Sequence, residues 1–194
     1  MKLIENLASE CRMPLCYGGG IKTVEQAQQI FSLGVEKIAI SSAAIENPSL
    51  ITQISDIVGS QSVVVIIDVR KKFFGGLEIC INNAKKSVGI DLVEFIKKIQ
   101  KLGAGEIVIN SIDDDGMMHG YNITLIKKLV EYIKIPLTVL GGAGNLNHIR
   151  EVINKFGIIG ISAGSLFVFK GKYKAVLINY PTREEKDKLI NHEK

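Results

Sequence analysis

The chain has 194 residues, 46% of them hydrophobic, which is enough for one sizeable core and too little for two full domains. Lys+Arg 24 against Asp+Glu 20 leaves a thinly spread net charge of +4, and Trp is absent, so composition argues against nucleic acid as a partner on both charge and stacking grounds. No run of about 18 apolar residues occurs, acids stand where a signal peptide carries a basic head, and Cys11, Cys16 and Cys80 show no Cys-x-x-Cys spacing; the expectation is a cytoplasmic chain with reduced thiols, neither exported nor membrane-spanning.

In chain order, the first predicted strand covers residues 14–17 and leads through Gly18-Gly19-Gly20 into a helix over 23–33, with Val24, Ala27, Ile30 and Phe31 on one face. Strands follow at 37–41 and 63–68, the latter the apolar run Val63-Val64-Val65-Ile66-Ile67 closed by Asp68. Residues 71–89 are too many for a plain strand-to-helix connection. Phe74, Gly75, Gly76, Leu77, Glu78 and Ile79 suggest a small hairpin there, acting as a lid over the mouth. A helix at 92–102 carries Phe95, Ile96 and Ile99 on one stripe, and strands at 106–112, 137–140 and 158–162 complete the set. The mostly charged tail, 182–194, reads as a solvated helix or frayed end. Six doubly buried strands alternating with helices require a parallel sheet, open or closed.

Comparison of the chain with itself separates those two. Gly18 and Gly141, and likewise Gly34 and Gly157, are 123 positions apart, and Pro14 and Pro136 are 122 apart. Doubling that period gives about 246 residues, close to the roughly 250 of a (β/α)8 TIM-type barrel built from two half-barrels. The domain is therefore read as a single incomplete barrel over 1–194, strands three to eight plus a C-terminal tail, with strands one and two missing through an N-terminal truncation or misplaced start. An open doubly wound sheet of six strands is the alternative.

A barrel of this kind builds its site from the loops after the strands. Glycine turns at 18–20 and 141–144, with Ser41 and Ser42 beside the first and Gly164 and Ser165 beside the second, form two candidate phosphate cradles at opposite sides of the mouth. They imply a ligand with a phosphate at each end. The alternative for each is a turn glycine and nothing more. Asp68 is the candidate acid/base, against an alternative as an N-cap or a partner for Arg70. Among Asp113, Asp114 and Asp115, the last suits a substrate-hydroxyl or proton-transfer role and the other two read as solvated loop charges. Consecutive acids with no further ligand at metal spacing do not make a metal site. His119, His148 and His192 are isolated. Lys37 and Glu106 belong to the opposite face, at strand N-terminal ends.

Pro14 to Ile21, Ala43-Ala44-Ile45-Glu46-Asn47-Pro48, Gly59-Ser60-Gln61 through Asp68, Gly103-Ala104-Gly105-Glu106, Ser111 to Gly116 with Gly120-Tyr121, and Gly141-Gly142-Ala143-Gly144 form an ordered set reaching to about Phe169. As a set they resemble the cyclase subunits of imidazole glycerol phosphate synthases, of histidine biosynthesis. The resemblance implies a half-barrel-repeat (β/α)8 fold and a lyase. Ammonia from a partner glutaminase would convert a bis-phosphorylated formimino carboxamide ribonucleotide to imidazole glycerol phosphate and aminoimidazole carboxamide ribonucleotide. It also implies catalysis by Asp68 with Asp115 in support. One phosphate would be bound at Gly142, Gly144, Gly164 and Ser165 and the other at Gly20, Ser41 and Ser42, with ammonia entering at Lys37 and Glu106. No cofactor or metal is carried over.

Leu140, Ser41 and Asn110 depart from the family's usual serine, asparagine and threonine, all near the substrate. The family's other catalytic aspartate belongs to strand one, so the chain as given is expected to be weak or inactive. The ending, from Phe167-Val168-Phe169 through Asn179-Tyr180-Pro181, looks like the paralogous branch associated with sugar amidation in surface-polysaccharide biosynthesis. A chain that only docks a glutaminase and passes ammonia onward is the non-enzymatic alternative.

Overall fold

The computed structural model describes residues 1–73, 75–171 and 173–190. Its elements are α1 Lys2–Glu10, β1 Cys16–Gly18, α2 Val24–Phe31, β2 Lys37–Ile40, α3 Ser42–Glu46, α4 Ser49–Val58, β3 Val63–Lys71, β4 Leu77–Ile81, β5 Lys86–Val88, α5 Leu92–Lys101, β6 Glu106–Ser111, α6 Ile123–Leu129, β7 Leu137–Leu140, α7 Leu146–Phe156, β8 Gly160–Ile161, α8 Ser165–Val168, β9 Phe169–Lys170, β10 Ala175–Val176 and α9 Arg183–Ile190. Every predicted strand and helix is present. Helix α1, which the charged start of the chain did not suggest, is added; its Ile4 and Ala8, one turn apart, pack on the core.

Strands β1, β2, β3, β6, β7 and β8 pair in that order, all parallel. The order runs one way with no reversal, which overturns the doubly wound alternative and its switch point. The two sheet faces are also unequal. Ile38, Ile40, Val63, Val65, Ile67, Ile107, Ile109, Leu137 and Val139 belong to one large core shared with the helices. Ala39, Val64 and Val108, with Ile66 and Leu140 against them, form a separate small cluster on the other face. Strand alternation thus sends every second residue to a helix-covered convex face and the rest to a concave one. The outcome is a curled α/β sheet of the kind found in TIM-type folds.

Local signals explain the helices. Thr23 and Gln26 form a reciprocal capping box at the start of α2, and Asp91, Asn122 and Asn145 cap α5, α6 and α7 through their side chains. In α5 the residues Leu92, Phe95, Ile96 and Ile99 are buried, at the helical spacing read from the sequence. The charged tail is helical in α9, with Leu189 buried and the helix packed on α7; residues 191–194, and with them His192, lie outside the described residues.

Two differences concern β3. It does not stop at Asp68 but runs on to Lys71, because β4 pairs antiparallel with its second half, Cys80 opposite Asp68 through Leu77 opposite Lys71. The hairpin is β4 with β5 rather than 74–79, so the expected lid is a continuation of the sheet. Phe74 lies outside the described residues.

Gly105 fixes the approach of β6 to β3. Its N–H donates to the Val63 carbonyl, and a Cβ at this position would collide with the Ser60 carbonyl. Gly105→Ala is therefore expected to cost about 2 kcal/mol or more of stability, read as a lowered urea midpoint with unchanged slope. A midpoint equal to wild type would show that the Ser60 turn yields freely.

Candidate active site

The parallel register arranges the concave face in layers. Lys37 and Glu106 stand at the strand N-terminal ends, where Lys37 Nζ lies 2.7 Å from Glu106 Oε2 and the Thr138 hydroxyl donates to Glu106 Oε1 at 2.6 Å. Glu106 is the more enclosed partner, 17% exposed against 39% for Lys37. Burial, with Glu106 nearby, pushes the Cys16 thiol above its ordinary value. Above this base comes the apolar layer of Ala39, Val64 and Val108. Above that lie Asp68 and Asn110, register partners on β3 and β6, with Asn110 Nδ2 donating to Asp68 Oδ1 at 2.8 Å.

Asp68 is thus neither an N-cap nor the partner of Arg70. Arg70 pairs with Glu78 of β4 at 2.8 Å. Bonds from Ser87 first and Arg70 second hold the Glu78 carboxyl below its ordinary range.

Asp68 lines a cavity of about 480 Å³ with Gly18, Gly19, Gly20, Ser41 and Ser42. The first predicted cradle and the candidate acid therefore share one space. Gly20 has φ +70 and open space where a Cβ would point. The two serines differ: Ser42 Oγ accepts the Asn82 N–H at 3.0 Å, whereas Ser41 Oγ is buried without a protein partner among the described residues. Asn110 Oδ1 is in the same condition. A buried polar atom left unpaired costs about 1–3 kcal/mol, so two such atoms at the rim mark a surface shaped for a polar guest. The cavity also contains residues the sequence reading passed over, Lys22, Asn82, Asn83 and Lys85. Lys22 could have been found, since it closes the glycine turn; the hairpin tip could not, since its placement depends on β4 pairing with β3.

The second cradle is a crevice of about 10 Å³ lined by Asp115, Gly142, Ser162, Gly164 and Ser165 among others. Its glycines divide into two kinds. A Cβ on Gly142 would strike the Gly120 carbonyl and one on Gly144 the Met118 carbonyl, so both are dictated by the close approach of the 112–120 loop. The Gly144 N–H is moreover donated to His148 Nδ1 at 3.1 Å, which gives His148 a structural role. Gly164, by contrast, faces open space. In the loop, Asp113 accepts the Lys71 N–H yet stays exposed, in keeping with a solvated loop charge, whereas Asp114 is half-buried and accepts from Ser111 and Asn122, so it is not the solvated charge expected of it. Asp115 stays exposed at the crevice. Among the described residues no cluster of His, Cys, Asp and Glu could hold a metal ion, and no helix is long and apolar enough to cross a membrane.

The two cradles occupy the β1–β2 and β7–β8 gaps, four strand steps apart, about 19 Å along the arc. Asp68 and Asn110 stand between them. Such a layout suits an extended ligand anchored at both ends, with a carboxylate at its middle.

Tyr121 ties the loop to β8, its hydroxyl donating to the Ser162 carbonyl at 2.9 Å. Burial drives its phenol well above the ordinary 10.0. The folded chain then holds that proton more tightly than the unfolded chain does, so stability is intact below pH 10 and falls as the pH rises beyond it. Tyr121→Phe should lose about 1 kcal/mol at neutral pH and show a flatter decline above pH 10, measured by urea unfolding across pH. An alkaline limb as steep as wild type would exclude Tyr121 as its source.

The model of the histidine biosynthesis protein family matches residues 1–174. A Vibrio vulnificus protein provisionally named imidazole glycerol phosphate synthase subunit hisF3 is 57% identical over 189 residues, covering 97% of this chain and 73% of the relative. A Leptospira borgpetersenii protein with the provisional name imidazole glycerol phosphate synthase subunit HisF is 57% identical over 190 residues, 97% of this chain and 75% of its own. The imidazole glycerol phosphate synthase subunit HisF of Pyrococcus furiosus is 42% identical over 175 residues, 89% and 68% of the two chains.

Proposed function

The chain belongs to the histidine biosynthesis protein family, and on that premise we propose that it is the cyclase subunit of an imidazole glycerol phosphate synthase. It takes ammonia from a docked glutaminase and converts a bis-phosphorylated formimino carboxamide ribonucleotide to imidazole glycerol phosphate and aminoimidazole carboxamide ribonucleotide. The six parallel strands are, in this reading, one domain and an arc of an eight-stranded barrel, whose two remaining strands fit between β8 and β1.

The observation that carries the reading is Asp68 in one cavity with Gly20, Ser41 and Ser42, between two glycine cradles. Adding ammonia and expelling an amide requires a proton to leave one nitrogen and another to reach the departing group. Asp68 moves that proton, held in place by Asn110, and Asp115 supports it from the far side. Gly20, Ser41 and Ser42 hold one phosphate. Gly164 and Ser165 hold the other, while Gly142 and Gly144 keep the loop in shape behind them. The unpaired Asn110 Oδ1 contacts the substrate. Lys37 and Glu106, at the opposite end of the concave face, mark the side where ammonia enters. No cofactor, metal, nucleic acid or membrane enters this account, and the reaction belongs in the cytoplasm.

A second reading rests on where Ser41, Asn110 and Leu140 fall. Asn110 and Leu140 are register partners, Leu140 lines the β7–β8 crevice and Ser41 lines the β1–β2 cavity, so the departures from family usage reach both cradles. That favours a different ammonia acceptor, a sugar in surface-polysaccharide biosynthesis.

In a barrel completed with the two remaining strands, and with glutaminase and glutamine present, Asp68→Asn is expected to abolish formation of imidazole glycerol phosphate while substrate still binds; undiminished turnover would remove Asp68 from the mechanism. Gly164→Val, into open space, should raise KM about tenfold or more, equivalent to roughly 1.4 kcal/mol of binding, and an unchanged KM would make Gly164 a plain turn residue. Glutaminase stimulation without imidazole product would leave the docking role alone.

A further inference from the structure

We propose that the two phosphate cradles bind by different physics: the β1–β2 cradle is a cationic site completed by Lys22 and by Lys85 of the hairpin tip, whereas the β7–β8 cradle binds with backbone donors and no basic side chain. The inference rests on the phosphate reading above and adds to it which residues neutralise charge. Lys22 follows the Gly18–Gly20 turn and Lys85 is the last residue of the β4 to β5 turn, and both line the cavity that contains Gly20, Ser41 and Asp68. Asp68 is the one carboxylate in that lining. The β7–β8 crevice has a carboxylate, Asp115, and no Lys, Arg or His among the residues that line it.

The hairpin tip is held for this purpose by several bonds at once. Asn82, Asn83 and Ala84 have φ of 56, 57 and 64, three consecutive non-glycine residues in the left-handed region. Such a backbone is costly and persists only where its surroundings over-determine it. Here the Asn82 N–H is donated to Ser42 Oγ, the Lys85 N–H to the Asn82 carbonyl, and Arg70 reaches the Ala84 carbonyl. The Asn82–Ser42 bond joins the hairpin to the serine turn, so Lys85 is carried to the cradle by the fold. Both lysines are exposed at the cavity wall, where an ammonium keeps its charge and can meet a dianion without a burial cost.

The test is titration of the 194-residue chain with inorganic phosphate, following the amide resonances of Gly20 and Ser41 for one cradle and of Gly164 and Ser165 for the other. Wild type should respond at both, with the first set weakening steeply as salt rises. Lys22→Gln with Lys85→Gln should weaken phosphate at Gly20 and Ser41 at least tenfold and leave Gly164 and Ser165 unchanged; Lys22→Arg with Lys85→Arg should retain it. If the glutamine pair binds at Gly20 as wild type does, the lysines have no part and the inference falls while the phosphate reading stands. If neither cradle of the wild type responds, the phosphate reading falls and takes the inference with it.

Discussion

The pairing of β3 with β6 sets every other relation in the molecule. It is the longest parallel contact, Val64 opposite Glu106 through Val69 opposite Ser111. It decides which of their residues face the helices and which face the concave side. A slip of one residue would exchange Ile67 for Asp68 and Ile109 for Asn110 across the sheet, burying a carboxylate under α5 and exposing the core. The apolar run before Asp68 is thus a register constraint as much as a source of burial. The Gly105 contact with the Ser60 turn pins its lower end.

From that register comes a concave face graded from an ion pair at the base, through an apolar layer, to a polar rim. The rim holds two buried oxygens that have no protein partner among the described residues, Ser41 Oγ and Asn110 Oδ1. Elsewhere polar side chains are spent on structure: Asp113 and Asp114 on their loop, His148 on the Gly144 N–H. Groups left over once structure is satisfied are where a ligand would be met, and here they gather around Asp68.

Legibility followed the range of the forces involved. Strand and helix positions were readable because apolar periodicity and caps are local, as Thr23 with Gln26 and the stripe on α5 show. The end of β3 was not, because its last residues are ordered by β4, a partner fixed only by folding. Glycine motifs showed where the chain turns tightly without showing why. Gly142 and Gly144 are required by a loop some 20–30 residues earlier, and Gly164 is not required by packing at all. The candidate acid was legible from an isolated charge after five apolar residues. Its true neighbour Asn110, and the lysines beside it, were hidden by the distances in sequence that separate them.

The hairpin wall has a mechanical corollary. Cys80 sits opposite Asp68 in the ladder, so the strand that would have to swing for a door to open is zipped to the strand that carries the acid. Any sequence change that loosens β4 would then be felt first at the Asp68 carboxylate, whose strand that ladder holds.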